Sequence, residues 1–182
     1  MAGPLDDIPV NPDCQSMLDY EGELTVVIGK PCRNLNKSFE DPLDYVLGYT
    51  VGNDISARSW QVAEASGGQH GYAKSFDKFA PIGPALVSTK VLPDPSKMHM
   101  RTWVNGDLRQ ETSTGDLLFG VREIIQHISR GTTLQPGTII MSGTPSGVGW
   151  FMSPPGFVKD GDVVEIKIDE IGSIKNRMVF EP

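Results

Sequence analysis

The sequence predicts a mainly β domain of mixed strands with some α structure and one principal amphipathic helix. Three observations carry that expectation. Its 20 glycines and 14 prolines cluster between short apolar runs, the pattern of many short strands joined by turns. Asn105-Gly106 stands between two alternating segments, the strongest short-range hairpin signal. Only the stretch around residues 113–131 repeats apolar residues at spacings of three and four, as an amphipathic helix does.

A chain of 182 residues suits one domain with an adequate core. The expected division is an irregular N-terminal arm at residues 1–18 and the domain proper at 19–182. Hydrophobic content of 38% and charged content of 21% are ordinary for a soluble protein. The net charge of −7, with no basic block to neutralise phosphates, excludes a nucleic-acid partner. No apolar run reaches membrane-spanning length, and Met1 to Asp7 has neither the basic nor the apolar segment of a leader. The expected location is the cytoplasm, with no membrane contact. Cys14 and Cys32 have no partner at zinc spacing and read as free thiols.

In chain order, residues 1–18 carry Pro4, Pro9 and Pro12 with no periodic pattern. The β-branched run Thr25-Val26-Val27-Ile28, closed by Gly29, makes residues 19–29 a strand ending in a turn. Strand alternation aims Glu21 and Glu23 at one side, their Cα atoms roughly 6–7 Å apart. Two carboxylates so placed repel, and a shared proton or cation relieves the repulsion. Two solvated acids at an exposed strand end are the ordinary alternative. Residues 30–38 read as a loop, and residues 39–45 as one helical turn with Pro42 at its first position. Residues 45–52 form a second buried strand that opens into Asn53-Asp54. Asp54 then joins Glu21 and Glu23 as a third hard oxygen donor of the kind Mg²⁺ or Mn²⁺ prefers.

Arg58 and Gln61, three apart, share a face if this segment turns helical; for Arg58 a surface ion pair is the ordinary alternative. Residues 63–71 read as a flexible loop at a site edge. Lys74 follows, and if it faces a metal it suits a substrate carboxylate or an enolate. Pro81 and Pro84 predict a rigid turn before a strand at 85–88. Residues 100–111 form the hairpin. Ser113-Thr114-Gly115-Asp116 caps the helix, whose stripe is Leu117, Val121, Ile124, Ile125 and Ile128, with Gly131 at its end. His127 falls off that stripe. A buried strand at 138–141 leads into the Gly-rich turn 142–149, which offers backbone N–H groups, Gly143 among them, and the Thr144 hydroxyl to an anion. The turn has neither the Lys-Ser/Thr ending of a P-loop nor the Rossmann glycine spacing. Residues 163–168 and 174–180 close the chain as an alternating hairpin.

Four of these stretches occur together in a specific order. They are Tyr20-Glu21-Gly22-Glu23-Leu24 with Val26-Val27-Ile28-Gly29; Gly48 to Arg58; Lys74-Ser75-Phe76-Asp77 with Pro81-Ile82-Gly83-Pro84; and Ser142 to Gly149. So arranged, the chain from about Asp19 to Phe180 resembles the fumarylacetoacetate hydrolase superfamily and its C-terminal catalytic domain. The resemblance implies a β-roll fold, usually a homodimer, with Mg²⁺ or Mn²⁺ held at the positions of Glu21, Glu23 and Asp54. It implies that Arg58, Gln61, Lys74, Gly143 and Thr144 grip a small 2-oxo or 1,3-dicarbonyl acid. Members of that family hydrolyse C–C bonds in acylpyruvates, decarboxylate oxaloacetate or isomerise oxo-acid tautomers. All these reactions use a metal chelated by the oxo acid or its enol as electron sink.

Two departures from the family pattern stand out. Hydrolytic members carry a His and Glu pair on a lid helix upstream of the metal strand, whereas here no histidine precedes His70, as though the chain begins inside the pattern. Where relatives often carry Gln-Trp before the Lys-Ser-Phe-Asp segment, this chain has Gln69-His70. His70 is thus the candidate to supply a base from the loop side, beside Lys74 and Thr144 as catalytic groups. The expected activity is hydrolysis of an acylpyruvate-like or fumarylacetoacetate-like C–C bond, the family's commonest label. The alternatives are tautomerisation, isomerisation or decarboxylation, which need no activated water, and a non-catalytic partner subunit.

Overall fold

Short alternating strands with turn residues between them build two facing sheets in this computed structural model, which describes residues 1–35 and 40–182. In chain order the strands are β1 (Ile8–Val10), β2 (Leu18–Asp19), β3 (Gly22–Ile28), β4 (Val46–Asn53), β5 (Ser56–Ala57), β6 (Ile82–Ser88), β7 (His99–Val104), β8 (Asp107–Ser113), β9 (Ile139–Met141), β10 (Val163–Ile168) and β11 (Gly172–Phe180). The helices are α1 (Ala63–Ser66) and α2 (Val121–Ile128). One sheet runs β1-β11-β10-β7-β8 and the other β6-β4-β3-β9, while β2 and β5 form a small ribbon. The structure is therefore mainly sheet, as expected.

Alternation fills the space between the sheets. Val164, Ile166 and Ile168 of β10, Ile174 and Met178 of β11, and Met100 and Val104 of β7 point inward from one sheet. Leu24, Val26 and Ile28 of β3, with Tyr49 and Val51 of β4, come from the other. Gly22 sits in the same alternation as Leu24. A Cβ there would fall 2.3 Å from Thr102 Oγ1 and 3.3 Å from Ile166 Cγ2. The head of β3 therefore lies directly on the five-stranded sheet, and its odd-numbered side chains project away from that sheet.

The predicted hairpin forms in place, with Asn105 (φ 51°) and Gly106 (φ 88°) both in the left-handed region, as its turn type requires. Other expectations need correction. Residues 1–18 are not an irregular arm: β1 pairs parallel with β11, Pro9 opposite Val179, and Ile8, Val10, Cys14 and Leu18 are fully buried. Pro9 reads as a breaker in sequence, but a sheet edge tolerates its missing N–H. For the same reason Pro84 lies inside edge strand β6, at an irregularity in its pairing with β4, and not in a turn before it.

The principal helix is shorter than its stripe. Residues 114–116 form a separate 3₁₀ turn capped by Ser113, whose Oγ accepts from Gly115 N–H at 3.1 Å. Leu117 then leaves helical geometry (ψ 132°), and Leu118 and Phe119 are exposed. The helix begins after Gly120, whose N–H donates to Glu123 Oε2 at 3.0 Å. It stops at Ile128, before Gly131. The turn foreseen at 39–45 is a 3₁₀ turn at Pro42–Tyr45; Phe39, and residues 36–38 of the preceding loop, lie outside the described residues. The loop foreseen at 63–71 opens with the single turn of α1. Cys14 and Cys32 are free thiols, both buried. Among the described residues no helix is long and apolar enough to cross a membrane.

Gly22→Ala tests the contact between the sheets. The added methyl meets Thr102 and Ile166 with little room to yield, so we expect a loss of about 1–3 kcal/mol in denaturant unfolding. An unchanged midpoint would show that the head of β3 does not bear on that sheet.

Candidate functional site

The site grows out of the place where β3 begins and β4 ends. The two strands pair antiparallel, with Gly22 opposite Asn53 and Glu23 opposite Gly52. Asp54 N–H donates to Glu21 O at 2.9 Å, and Glu21 N–H donates to Asn53 Oδ1 at 3.0 Å. The strand pair thus carries Glu21, Glu23 and Asp54 to one point. Gly52 keeps the space beside Glu23 open, since a Cβ there would lie 2.3 Å from Thr25 Oγ1. One oxygen from each of the three carboxylates lies within 4.8 Å of the others.

Two cations border this cluster. Lys74, in the 3₁₀ turn Tyr72–Lys74, donates from Nζ to Glu21 Oε2 at 2.6 Å and to Asp54 Oδ2. Arg58, in the 3₁₀ turn Arg58–Trp60, places Nη1 2.7 Å from Glu21 Oε1 and donates from Nε to Asp19 Oδ2 at 2.9 Å. Arg58 Nη1 also donates to Gln61 Oε1 at 3.0 Å, so the shared face expected of these two residues exists. The Gln61 amide nitrogen is buried without a partner among the described residues. A run of edge-on and tilted aromatic contacts, Trp60–Tyr72–Phe76–Phe79, joins the turns that carry the two cations.

The Gly-rich turn closes over the third carboxylate. Gly143 (φ 101°) donates its N–H to Glu23 Oε2 at 2.7 Å. The Thr144 hydroxyl donates to Gly22 O at 3.0 Å and accepts from Gln110 Nε2 at 2.8 Å. Glu23 is 3% exposed. Burial, with Asp54 and Glu21 adding to it, pushes its carboxyl up to about 8 against the pull of the Gly143 N–H. Burial also raises Asp54, although Lys74 draws it the other way. Lys74 and Arg58 are both held above their usual values, because their carboxylate partners outweigh the burial that opposes them.

Asp19, Glu21, Glu23 and Asp54 against Arg58 and Lys74 leave two negative charges when all six are ionised. Hard oxygen donors with that unmet charge suit a divalent cation such as Mg²⁺ or Mn²⁺. Glu21, Glu23 and Asp54 are the residues able to hold it. A cavity of about 550 Å³ opens beside the Gly-rich turn, lined by Gly143, Thr144, Leu117 and Phe119.

The sequence reading missed three residues that shape this site. Asp19 is legible in retrospect, because it lies in the same alternation as Glu21 and Glu23. Asn53 adjoins Asp54 and fixes the Glu21 backbone. Gln110 reads as an ordinary hairpin residue, yet it is 1% exposed and also accepts from Gly22 N–H at 3.1 Å. His70 is exposed and bonds none of these groups among the described residues. His99 approaches Glu111, and His127 pairs with Arg130.

Residues 1–179 match the family model of the fumarylacetoacetate hydrolase C-terminal domain, and the chain belongs to that family. It is 45% identical over 179 residues to the mitochondrial oxaloacetate tautomerase fahd2 of Xenopus laevis, covering 98% of this chain and 55% of that protein. It is 43% identical over 173 residues to the oxaloacetate tautomerase YisK of Bacillus subtilis, covering 95% and 56%. Among solved structures, the fumarylacetoacetate hydrolase of the psychrophile Exiguobacterium antarcticum superposes with a TM-score of 0.91 at 41% identity, over 98% of this chain and 62% of that one. The mixed sheets described above are thus those of the fumarylacetoacetate hydrolase fold. The chain spans just over half the length of the two curated relatives.

Glu23→Gln separates charge from shape at this site. The amide still accepts from Gly143 and removes a buried charge crowded by Asp54 and Glu21. In chelator above about pH 8, where wild-type Glu23 is ionised, the variant should be at least as stable as wild type. Mn²⁺ at a hundredfold excess over its Kd should add about 2.7 kcal/mol to wild-type stability and nothing to the variant. An equal metal-induced shift in both would remove Glu23 from the ligand set.

Proposed function

We propose that this chain carries the site of a divalent-metal-dependent tautomerase that interconverts the keto and enol forms of oxaloacetate or a similar 2-oxo acid. The observation that carries this reading is the Lys74 ammonium, shared between Glu21 and Asp54 beside the buried Glu23 carboxylate. Glu21, Glu23 and Asp54 would hold Mg²⁺ or Mn²⁺. When bound, the cation supplies Lewis-acid polarisation of the substrate carbonyl and its enolate.

The remaining work belongs to the protein. In enolisation the C3–H bond breaks and its electron pair becomes the C2=C3 double bond, while the carbonyl oxygen gains a proton. Read from the enol side, Lys74 Nζ, held as the ammonium, donates the proton that forms the C3–H bond, and the enol O–H proton returns to the lysine through Glu21 Oε2 at 2.6 Å. The Gly143–Thr144 turn forms the wall beside the developing negative oxygen. Arg58 keeps its expected part in gripping the substrate: Nε and Nη1 are engaged by Asp19, Glu21 and Gln61, and Nη2 is the face of the guanidinium that would meet the substrate carboxylate. The Gln61 amide, whose Oε1 accepts from Arg58 and whose Nε2 is unpartnered among the described residues, is a second donor for that carboxylate.

Tautomerisation replaces C–C hydrolysis as the headline reaction. Both curated relatives named above are oxaloacetate tautomerases. The groups gathered around the carboxylates hold and pass protons, and the three histidines of the chain lie elsewhere among the described residues.

Purified protein with Mn²⁺ should accelerate the decay of enol-oxaloacetate, followed by its ultraviolet absorbance, without releasing pyruvate. Lys74→Met should lower kcat about 10²–10⁴-fold and keep the Mn²⁺-induced rise in stability. Full turnover by Lys74→Met would remove the lysine from its role. Cleavage of an acylpyruvate at a rate exceeding tautomerisation would restore the hydrolase reading.

A further inference from the structure

Asp19 is the most completely bonded carboxylate in the site and has no part in the chemistry above. It is 1% exposed. Its Oδ1 accepts from the N–H groups of Tyr20 at 2.9 Å and Gly149 at 2.8 Å. Its Oδ2 accepts from Arg58 Nε at 2.9 Å and from Trp150 N–H at 3.0 Å. Four donors fill the acceptor capacity of one carboxylate, which is what a buried charge needs to be tolerated. The far end of the Gly-rich turn reaches it only because residue 149 is glycine: a Cβ there would lie 2.5 Å from Gly156 O and 2.9 Å from Asp19 Oδ1.

We propose that Asp19 is a positioning residue that divides the Arg58 guanidinium between itself and Glu21, and so leaves Glu21 free enough to bind a divalent cation. The inference rests on the reading of Glu21 as a ligand. Arg58 Nη1 stands 2.7 Å from Glu21 Oε1, on the carboxylate that would face the cation. With the Asp19 carboxylate accepting from Nε, one positive charge is spread over two carboxylates. With an amide at position 19, the whole charge bears on Glu21 and competes with the metal. Through Gly149 and Trp150 the same carboxylate fixes the turn that brings Gly143 to Glu23. Outer partners of this kind set ligand orientation and charge.

The test is a charge cycle read by calorimetric titration with Mn²⁺ alone, on wild type, Asp19→Asn, Arg58→Met and the double variant. Asp19→Asn should weaken Mn²⁺ binding roughly 10–100-fold. Arg58→Met should bind more tightly than wild type. Because Asp19 acts through the guanidinium, the double variant should bind Mn²⁺ as Arg58→Met does, within about twofold. A purely structural role for Asp19 predicts no such rescue. Binding by Asp19→Asn equal to wild type, or a double variant as weak as Asp19→Asn, overturns the proposal. Where Asp19→Asn does not fold, the contrast between Arg58→Met and the double variant decides, and a double variant at least about tenfold weaker than Arg58→Met overturns it, because Asp19 would then act without Arg58. Wild type that binds Mn²⁺ but turns over no oxo acid sinks the tautomerase reading and leaves this cycle to judge Asp19. Wild type that binds no Mn²⁺ overturns both.

Discussion

Three carboxylates converge on one largely buried point, with Asp19 joined to them through Arg58, and the local structure is arranged around keeping them there. Like charges at this distance repel strongly where water is excluded. The protein offsets that repulsion with Arg58, Lys74 and a set of backbone N–H groups, and two negative charges remain when every group is ionised. Burial first, and the neighbouring Asp54 and Glu21 after it, raise the Glu23 carboxyl. A divalent cation would satisfy the same charge.

Small residues make that convergence sterically possible. Gly22 lets the head of β3 press onto Thr102 and Ile166, which aims its neighbours Glu21 and Glu23 to the opposite side. Gly52 leaves the space across from Glu23 open, and Gly149 lets a distant turn reach Asp19. At each place a methyl group would collide with a named atom, so these glycines serve close approach, of side chains at Gly22 and Gly52 and of the Gly156 backbone at Gly149, and not flexibility. Gln110 completes the frame by joining Gly22, Thr144 and Pro145 across the two sheets.

Much of this was legible in the sequence, for identifiable reasons. Alternation alone places Glu21 and Glu23 together, and the end of a β-branched run places Asp54 at a strand mouth. The Asn105-Gly106 turn encodes its own backbone conformation. Errors arose where a residue's effect depends on the sheet edge. Pro9 and Pro84 are breakers in a central strand and harmless at an edge, and nothing local says which edge they will occupy. The helix stripe overran because Leu117 shares the periodicity of the residues after it, while the turn capped by Ser113 ends the regular geometry first.

The sequence by itself determined the donor chemistry: three acids at strand ends, a lysine and an arginine on turns, and a Gly-rich segment, all in the order of one family. Composition and strand periodicity are local properties, and they survive without knowledge of the fold. Only the tertiary structure decided how those groups divide their charges. Lys74 is shared by Glu21 and Asp54, and Arg58 is split between Glu21 and Asp19, because segments tens of residues apart meet at the head of β3. Ion pairing depends on distance and burial, and both are set by packing between the sheets and not by spacing along the chain.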